Sequence, residues 1–428
     1  MDHTLRNDLK AAVAARRETA IADLITLVEL DSTLGNEIPA QQQVRQNFHD
    51  MGLKTEDVTI DLDALRDRPG FSPAVIENTD GRINVIGIHE PSGTAKGKSL
   101  ILNGHMDVVP TGPAELWARP PFESYVEGDW LYGRGSGDMK AGIVAYSMAF
   151  QALRDLGLQP AAPVIMQSVI EEECTGNGAL ACLEAGYRAD AAIIPEPMNH
   201  EILSSQLGVM WLQVEVTGKP AHVLDTSAGI NAIEAIYAIF AGLRDVEAAW
   251  NLPENRHSEY HSHVHPVNFN LGKVNGGEWA STVPSKCVAD IRVGFYPGMS
   301  LSDVRAALEQ RINEVVASHP SCNGANVTVH YRGFHAEGCV MDKQHPMMTT
   351  LADVHREVSG QEVQFVASTA TTDARFFQLY GGIPATCYGP TAENIHGIDE
   401  RVSISSMMNV AEVLALFMVD WCGVESKS

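Results

Sequence analysis

Short apolar runs alternate with amphipathic ones through the first half of the chain. NVIGIHE (84–90) and SLILNGHMDV (99–108) read as strands, and KAGIVAYSMAFQALRDLG (140–157) carries its apolar residues at helical spacing. PVIMQSVI (163–170) is a further apolar strand, GNGALACLEAG (176–186) a short helix and AAIIPEP (191–197) another strand. Residues 4–30 read as one amphipathic helix. Strands separated by helices in this order predict an α/β layer fold with a largely parallel central sheet flanked by helices.

Near residue 210 the texture changes. WLQVEVTG (211–218) alternates as a half-buried strand does, INAIEAIYAIFAGLRDVEAAW (230–250) is helical, and VNFNLGKVNGG (267–277) and KCVADIRVGFYP (286–297) are strands. LSDVRAALEQRINEVVAS (301–318) is a helix and ANVTVHYRG (325–333) a last strand. This β-α-β-β-α-β order is the ferredoxin-like pattern. It predicts an inserted α+β domain at 210–332, with 1–209 and 333–428 forming one discontinuous domain. A chain of 428 residues has room for both.

Composition narrows the partners. Lys+Arg 30 against Asp+Glu 54 gives a net charge of −24, which argues against nucleic acid and anionic membrane. No segment is expected to reach the run of roughly 20 apolar residues that spans a bilayer. The N-terminal run is charged amphipathic helix without a signal-peptide core, so a cytoplasmic protein is expected. Seven scattered cysteines without paired metal spacing read as reduced thiols.

Candidate chemistry gathers where strands and glycine-rich turns end. His105, in GHMDVVP, closes an apolar strand, and Asp107 two residues on is placed to orient it: a ligating imidazole gives one nitrogen to metal while a carboxylate holds the other. Asp138 (YGRGSGDMKAG), Glu173 (VIEEECTGNGA), Glu196 (IIPEP) and His396 (AENIHGIDERV) complete five candidate ligands. Crevices outside the carboxyl ends of strands are where α/β sheets build sites. Oxygen and imidazole donors suit Zn²⁺, with Mn²⁺ and Co²⁺ as substitutes. One ion needs only three protein ligands, so five candidates point to a pair sharing a bridging water. In Glu171-Glu172-Glu173 neighbouring side chains point opposite ways, so one carboxylate can bind metal while another serves as general base. His257, His261, His263 and His265 lie close along one segment but lack a carboxylate pattern.

Taken together, GHMDVVP, GRGSGDMKAG, the Glu-Glu-Glu-x-x-Gly turn, PEP and NIHGIDERV resemble the motif set of the aminoacylase, acetylornithine deacetylase and succinyl-diaminopimelate desuccinylase family of di-zinc hydrolases, across about 100–405. The resemblance implies that Asp138 bridges two metals, with His105 and Glu196 on one and Glu173 and His396 on the other, and that Asp107 partners His105. It selects Glu172 as the base, although Glu171 stands where the family usually has Asp, leaving Glu171 open. GKPAHVLDTSAGINAI implies that His222 stabilises the oxyanion, often in a neighbouring subunit's site. Arg292, in ADIRVGFYP, matches a position that grips the substrate carboxylate, a task suited to its planar fork. The inserted domain is implied to be a lid and homodimerisation domain.

The expected reaction is hydrolysis of an amide in a small N-acyl amino acid or related amine, as in the acetylornithine deacetylase relatives. A dipeptidase or carboxypeptidase is the second reading, and deformylation or deamination of an unusual amine also stays open. A non-catalytic homologue is the reading from a different class, opposed by the presence of all five ligand candidates and the base.

Overall fold

The computed structural model describes residues 3–427. The strands that position the site or frame it are β1 (Lys54–Thr59), β2 (Ile83–His89), β3 (Leu100–His105), β4 (Val164–Val169), β5 (Ala192–Ile194), β6 (Gly208–Thr217), β7 (Phe269–Gly276), β8 (Lys286–Phe295), β9 (Asn326–His330) and β10 (Ala385–Cys387). The main helices are α1 (His3–Ala15), α2 (Arg17–Glu29), α3 (Ala141–Asp155), α4 (Asn177–Glu184), α5 (Ala232–Trp250), α6 (Leu301–Ser318), α7 (Pro346–Ser359) and α8 (Ile404–Cys422).

The central sheet runs β1-β2-β4-β3-β5-β10. Its β4-β3, β3-β5 and β5-β10 pairings are parallel and its β1-β2 and β2-β4 pairings antiparallel. Every residue of β3, β4, β5 and β10 is buried. Helices cover both faces of parallel strands, which is why these segments are apolar runs and not alternations.

Two expectations need correction. Residues 4–30 are two helices, because Arg16 (φ −89°, ψ 2°) leaves helical geometry between α1 and α2 and its guanidinium reaches Asp155 at 2.6 Å. The amphipathic pattern runs across the break undisturbed, so periodicity alone does not reveal it. Second, α8 is long and apolar enough to cross a membrane. Its residues are mostly buried and it packs against α3 and α7, so its apolar surroundings are the protein core.

A second sheet has the order β7-β8-β6-β9 with antiparallel pairings, the ferredoxin-like arrangement. Its inner residues, including Leu212, Val214, Phe269, Ile291 and Val293, pack with Ile236, Ile239 and Leu243 of α5 and Val304, Leu308 and Ile312 of α6 into a hydrophobic cluster of their own. The sheet begins at Gly208 and takes in a short strand at His335–Ala336, so it overlaps the expected edges of 210–332 by a few residues. All seven cysteines are unpaired and buried.

Candidate metal centre

The five expected donors converge beyond the carboxyl ends of β3, β4 and β5. His105 is the last residue of β3, Glu173 follows β4, and Glu196 follows β5. Asp138 lies in the glycine-rich turn before α3, and His396 in the loop between the short strands Ala392–Glu393 and Arg401–Ser403. Glycine at 137 permits this approach, since a Cβ there would lie 2.5 Å from the Ala392 Cβ.

Asp138 sits between the two imidazoles. One of its oxygens lies 3.1 Å from His105 Nε2 and the other 3.4 Å from His396 Nε2. His396 Nε2 is also 3.1 Å from Glu173, while His105 Nε2 is 3.8 Å from Glu196 and 3.8 Å from Glu172. The two Nε2 atoms therefore share one carboxylate, that of Asp138, each facing a different oxygen.

Asp107 departs from expectation. Its carboxylate stands 3.8 Å from His105 Nδ1, beyond hydrogen-bond reach. The nearer partner of Nδ1 is the Asp107 backbone carbonyl, at 2.9 Å, which holds the N–H on Nδ1 and leaves Nε2 free for a metal. The carboxylate instead accepts the backbone N–H groups of Glu172 and Glu173, at 3.2 and 3.1 Å. Asp107 thus ties the end of β3 to the acidic turn after β4.

Within that turn the three glutamates separate. Glu171, at φ +67°, buries its carboxylate against Arg82 (2.5 Å) and Thr175 Oγ1 (2.7 Å). Arg82 also pairs with Glu37 at 2.5 Å. Glu172 and Glu173 turn toward His105 and His396 respectively.

His222 and Arg292 lie outside the cluster. His222 is exposed, its Nδ1 accepting the Leu224 N–H at 3.2 Å, and among the described residues no hydrogen bond or ion pair joins it to the five donors. Arg292 projects from β8 toward Thr369, whose carbonyl accepts from it at 3.2 Å, and it makes no ion pair among the described residues. Pro197, next to Glu196, and Thr369 both line a groove of about 520 Å³.

Electrostatics follow from crowding acids in a buried space. Burial disfavours a protonated His105, yet Glu196, Asp138, Glu172 and Asp107 outweigh it and hold its pKa well above the ordinary value. Burial likewise opposes the charged form of half-exposed His396, but Glu173 and Asp138 push it up to about 11. Burial raises Glu172 and Glu196 well above the carboxylate range despite His105, with Asp373 adding to both, and raises Asp107 to about 7. Asp138 alone is held down, by the two imidazoles against its burial.

Sequence reasoning passed over Asp373, Arg82 and Glu400. Asp373 is fully buried, and neither carboxylate oxygen has a hydrogen-bond partner among the described residues. Asp373 follows the polar run Ser-Thr-Ala-Thr-Thr (368–372), so nothing local marked it as buried. The donor set fits divalent cations: His105, Asp138 and Glu173 offer ligand atoms within 4.8 Å of one another, and the carboxylates that raise both imidazoles attract the positive charge that an ion would supply.

An α/β sheet carrying such donors at its carboxyl edge defines a metal-dependent hydrolase. Residues 101–420 match the model of Peptidase family M20/M25/M40, and the chain belongs to that family, whose members hydrolyse amide bonds. It is 29% identical to the N-formyl-4-amino-5-aminomethyl-2-methylpyrimidine deformylase of Bacillus subtilis strain 168 (82% of this chain, 86% of the relative). It is 26% identical to the succinyl-diaminopimelate desuccinylase of Bradyrhizobium sp. strain ORS 278 (82% and 90%). The fold is that of the dipeptidase Dug1p of Saccharomyces cerevisiae, with a TM-score of 0.81 at 12% identity over 99% of both chains. A dinuclear metal-binding peptidase of the family from Bacillus subtilis aligns with a TM-score of 0.58 at 15% identity, over 96% of this chain and 99% of that one.

Proposed function

We propose that this chain is a two-metal deacylase that hydrolyses the amide of a small N-acyl amine or N-acyl amino acid. The observation that carries the reading is Asp138, whose two oxygens face His105 and His396 separately, with Glu172 turned toward the same space. His105, Asp138 and Glu196 would hold one ion and Asp138, Glu173 and His396 the other, with Zn²⁺ the best match and Mn²⁺ or Co²⁺ as substitutes. When bound, such ions supply Lewis acidity and bring the pKa of water toward 7.

The chain's own residues do the rest. Glu172 accepts a proton from the attacking water and passes it to the departing nitrogen; burial among Glu173, Glu196 and Asp373 raises its proton affinity for this task. Glu171 is unavailable for that role because Arg82 and Thr175 occupy its carboxylate. Arg292, which donates to the carbonyl of Thr369, a residue that lines the same groove as Pro197, binds a substrate carboxylate through its fork. His222 stabilises the developing oxyanion from a second copy of the chain, residues 210–332 acting as lid and homodimerisation domain. Unpaired thiols fit a cytoplasmic enzyme, and the net charge of −24 opposes nucleic acid and anionic membranes as partners.

The relatives named for deformylation and desuccinylation make acyl size the property to test. Zn²⁺-loaded protein is assayed for amine release from N-formyl, N-acetyl and N-succinyl amines and from dipeptides, with Glu172→Gln as control. Chelator-sensitive release from one acyl class, lost in the variant, is expected. Release from dipeptides alone would replace the deacylase reading with the dipeptidase one.

A further inference from the structure

We infer that Glu400 and Arg134 form a buried clasp that sets the spacing of the two loops carrying Asp138 and His396, and that Glu400 is a positioning residue for both metal ions. The inference rests on the two-metal reading above and concerns residues that do not touch the ions.

The clasp is reciprocal. Glu400 and Arg134 side chains are each 1% exposed and pair at 2.5 Å. The Glu400 carboxylate also accepts three backbone N–H groups of the Asp138 loop: Gly135 at 3.1 Å, Gly137 at 3.0 Å and Asp138 itself at 3.0 Å. The Glu400 carbonyl takes a fourth, from Gly133, at 2.9 Å. From the Asp138 loop, Arg134 reaches back and donates through its second fork nitrogen to the carbonyl of Gly397, next to His396, at 2.8 Å. One charged pair therefore fixes the backbone on both sides of the Asp138–His396 contact.

The His396 loop needs such a tie. Asn394, His396 and Asp399 have φ of +57°, +60° and +54°, a region uncommon outside glycine that Asn, His and Asp enter more readily than most, and three such residues in six positions make a loop whose shape depends on ties from outside it. Charge-assisted hydrogen bonds from a guanidinium fork and to a carboxylate are the stronger kind, and their geometry is directional. Metal ligands must be held to within about 0.5 Å of productive geometry, and losing an outer partner typically costs about ten- to a hundredfold in metal affinity.

The two ends of the clasp predict different losses. Glu400→Gln disturbs the backbone of Asp138, which serves both ions, so both affinities should fall by about ten- to a hundredfold. Arg134→Lys keeps a cation beside Glu400 but cannot reach Gly397 at the same time, so the ion on the His396 side should weaken while the other is retained. Affinities are read by Zn²⁺ titration of the full chain against a chromophoric chelator, with circular dichroism and metal-free melting recorded for each variant. Arg134→Lys preserves the buried charge balance and carries the test if Glu400→Gln does not fold. An ion pair that serves only folding would lower the metal-free melting temperature and leave both affinities unchanged, which overturns the inference. Wild-type protein that binds no Zn²⁺ overturns the two-metal reading and the clasp with it.

Discussion

Neutralising Glu171 and Glu172 one at a time should give opposite phenotypes. Glu171 and Arg82 are 1% and 4% exposed and pair at 2.5 Å. Breaking a buried pair by removing one charge costs about 3–5 kcal/mol, because the partner stays buried. Arg82 keeps Glu37, at 2.5 Å and 3.2 Å, and glutamine can still accept a hydrogen bond, so Glu171→Gln falls near the lower bound, about 3 kcal/mol. With about 2–4 °C per kcal/mol for domains of 150–250 residues, melting should drop by roughly 6–12 °C. Glu172 is the reverse case. Its carboxylate is buried among Glu173, Glu196 and Asp373, which raises its pKa, so Glu172→Gln relieves repulsion and leaves melting unchanged or higher. As the proton carrier it should cost about 10²- to 10⁴-fold in kcat. Melting of the metal-free variants, paired with initial rates of the Zn²⁺-loaded ones, decides the matter. A Glu172→Gln protein with wild-type turnover, or a Glu171→Gln protein that melts normally but has lost turnover, would refute the assignment.

Three further outcomes are expected. Gly389→Ala places a Cβ 2.0 Å from the Glu196 carbonyl oxygen, so it should displace Glu196 and lower Zn²⁺ content and turnover together; normal metal content would show that the backbone yields elsewhere. Chelation should lower the melting temperature, since an ion at a thousand times its Kd stabilises by about 4 kcal/mol; the His396 pKa of about 11 means that loading displaces a proton at pH 7, so affinity rises with pH, as calorimetry in buffers of different ionisation enthalpy would report. Burial and the neighbouring His355 push His200 down to about 4 from an ordinary 6.5, so the unfolded chain takes up its proton first. The resulting stability is present above pH 6.5 and lost as pH falls toward 4; urea midpoints at pH 7, 5.5 and 4.5 should show a shallower loss in His200→Asn, a residue that tolerates the φ of +63° there.

The donor cluster was legible because each donor closes an apolar run or sits in a glycine turn, and parallel strands deliver their carboxyl ends to one edge. His105 closes one strand of the central sheet, and Glu173 and Glu196 follow the two strands on either side of it. The β-α-β-β-α-β order likewise anticipated the sheet order β7-β8-β6-β9. Local pattern misled where it was ambiguous. The break at Arg16 does not interrupt the apolar stripe, and the expectation that no segment is long and apolar enough to span a bilayer overlooked α8, whose apolar length is accounted for by burial on most sides. His222 and Arg292 were identified by motif alone, and within one chain neither joins the cluster.

What holds the donors in place was hidden for a different reason. Arg134 and Glu400 stand 266 positions apart, and Arg82 lies 45 from Glu37 and 89 from Glu171. A charge in an extended or turning segment reads as solvated surface unless something names its partner, and periodicity carries no such information at these separations. Buried charges nonetheless must be paired, so the fold itself makes the identification: an arginine with about 1% exposure obliges a carboxylate nearby. Among the described residues, the two best-buried arginines that pair with glutamate both hold loops that carry the site, Arg82 the acidic turn and Arg134 the Asp138 and His396 loops. Such pairs add little net stability over an apolar core of the same shape. Their placement is better explained by geometry: they restrain irregular backbone at positive φ, at Glu171 and His396, where no sheet or helix hydrogen bonds can do so.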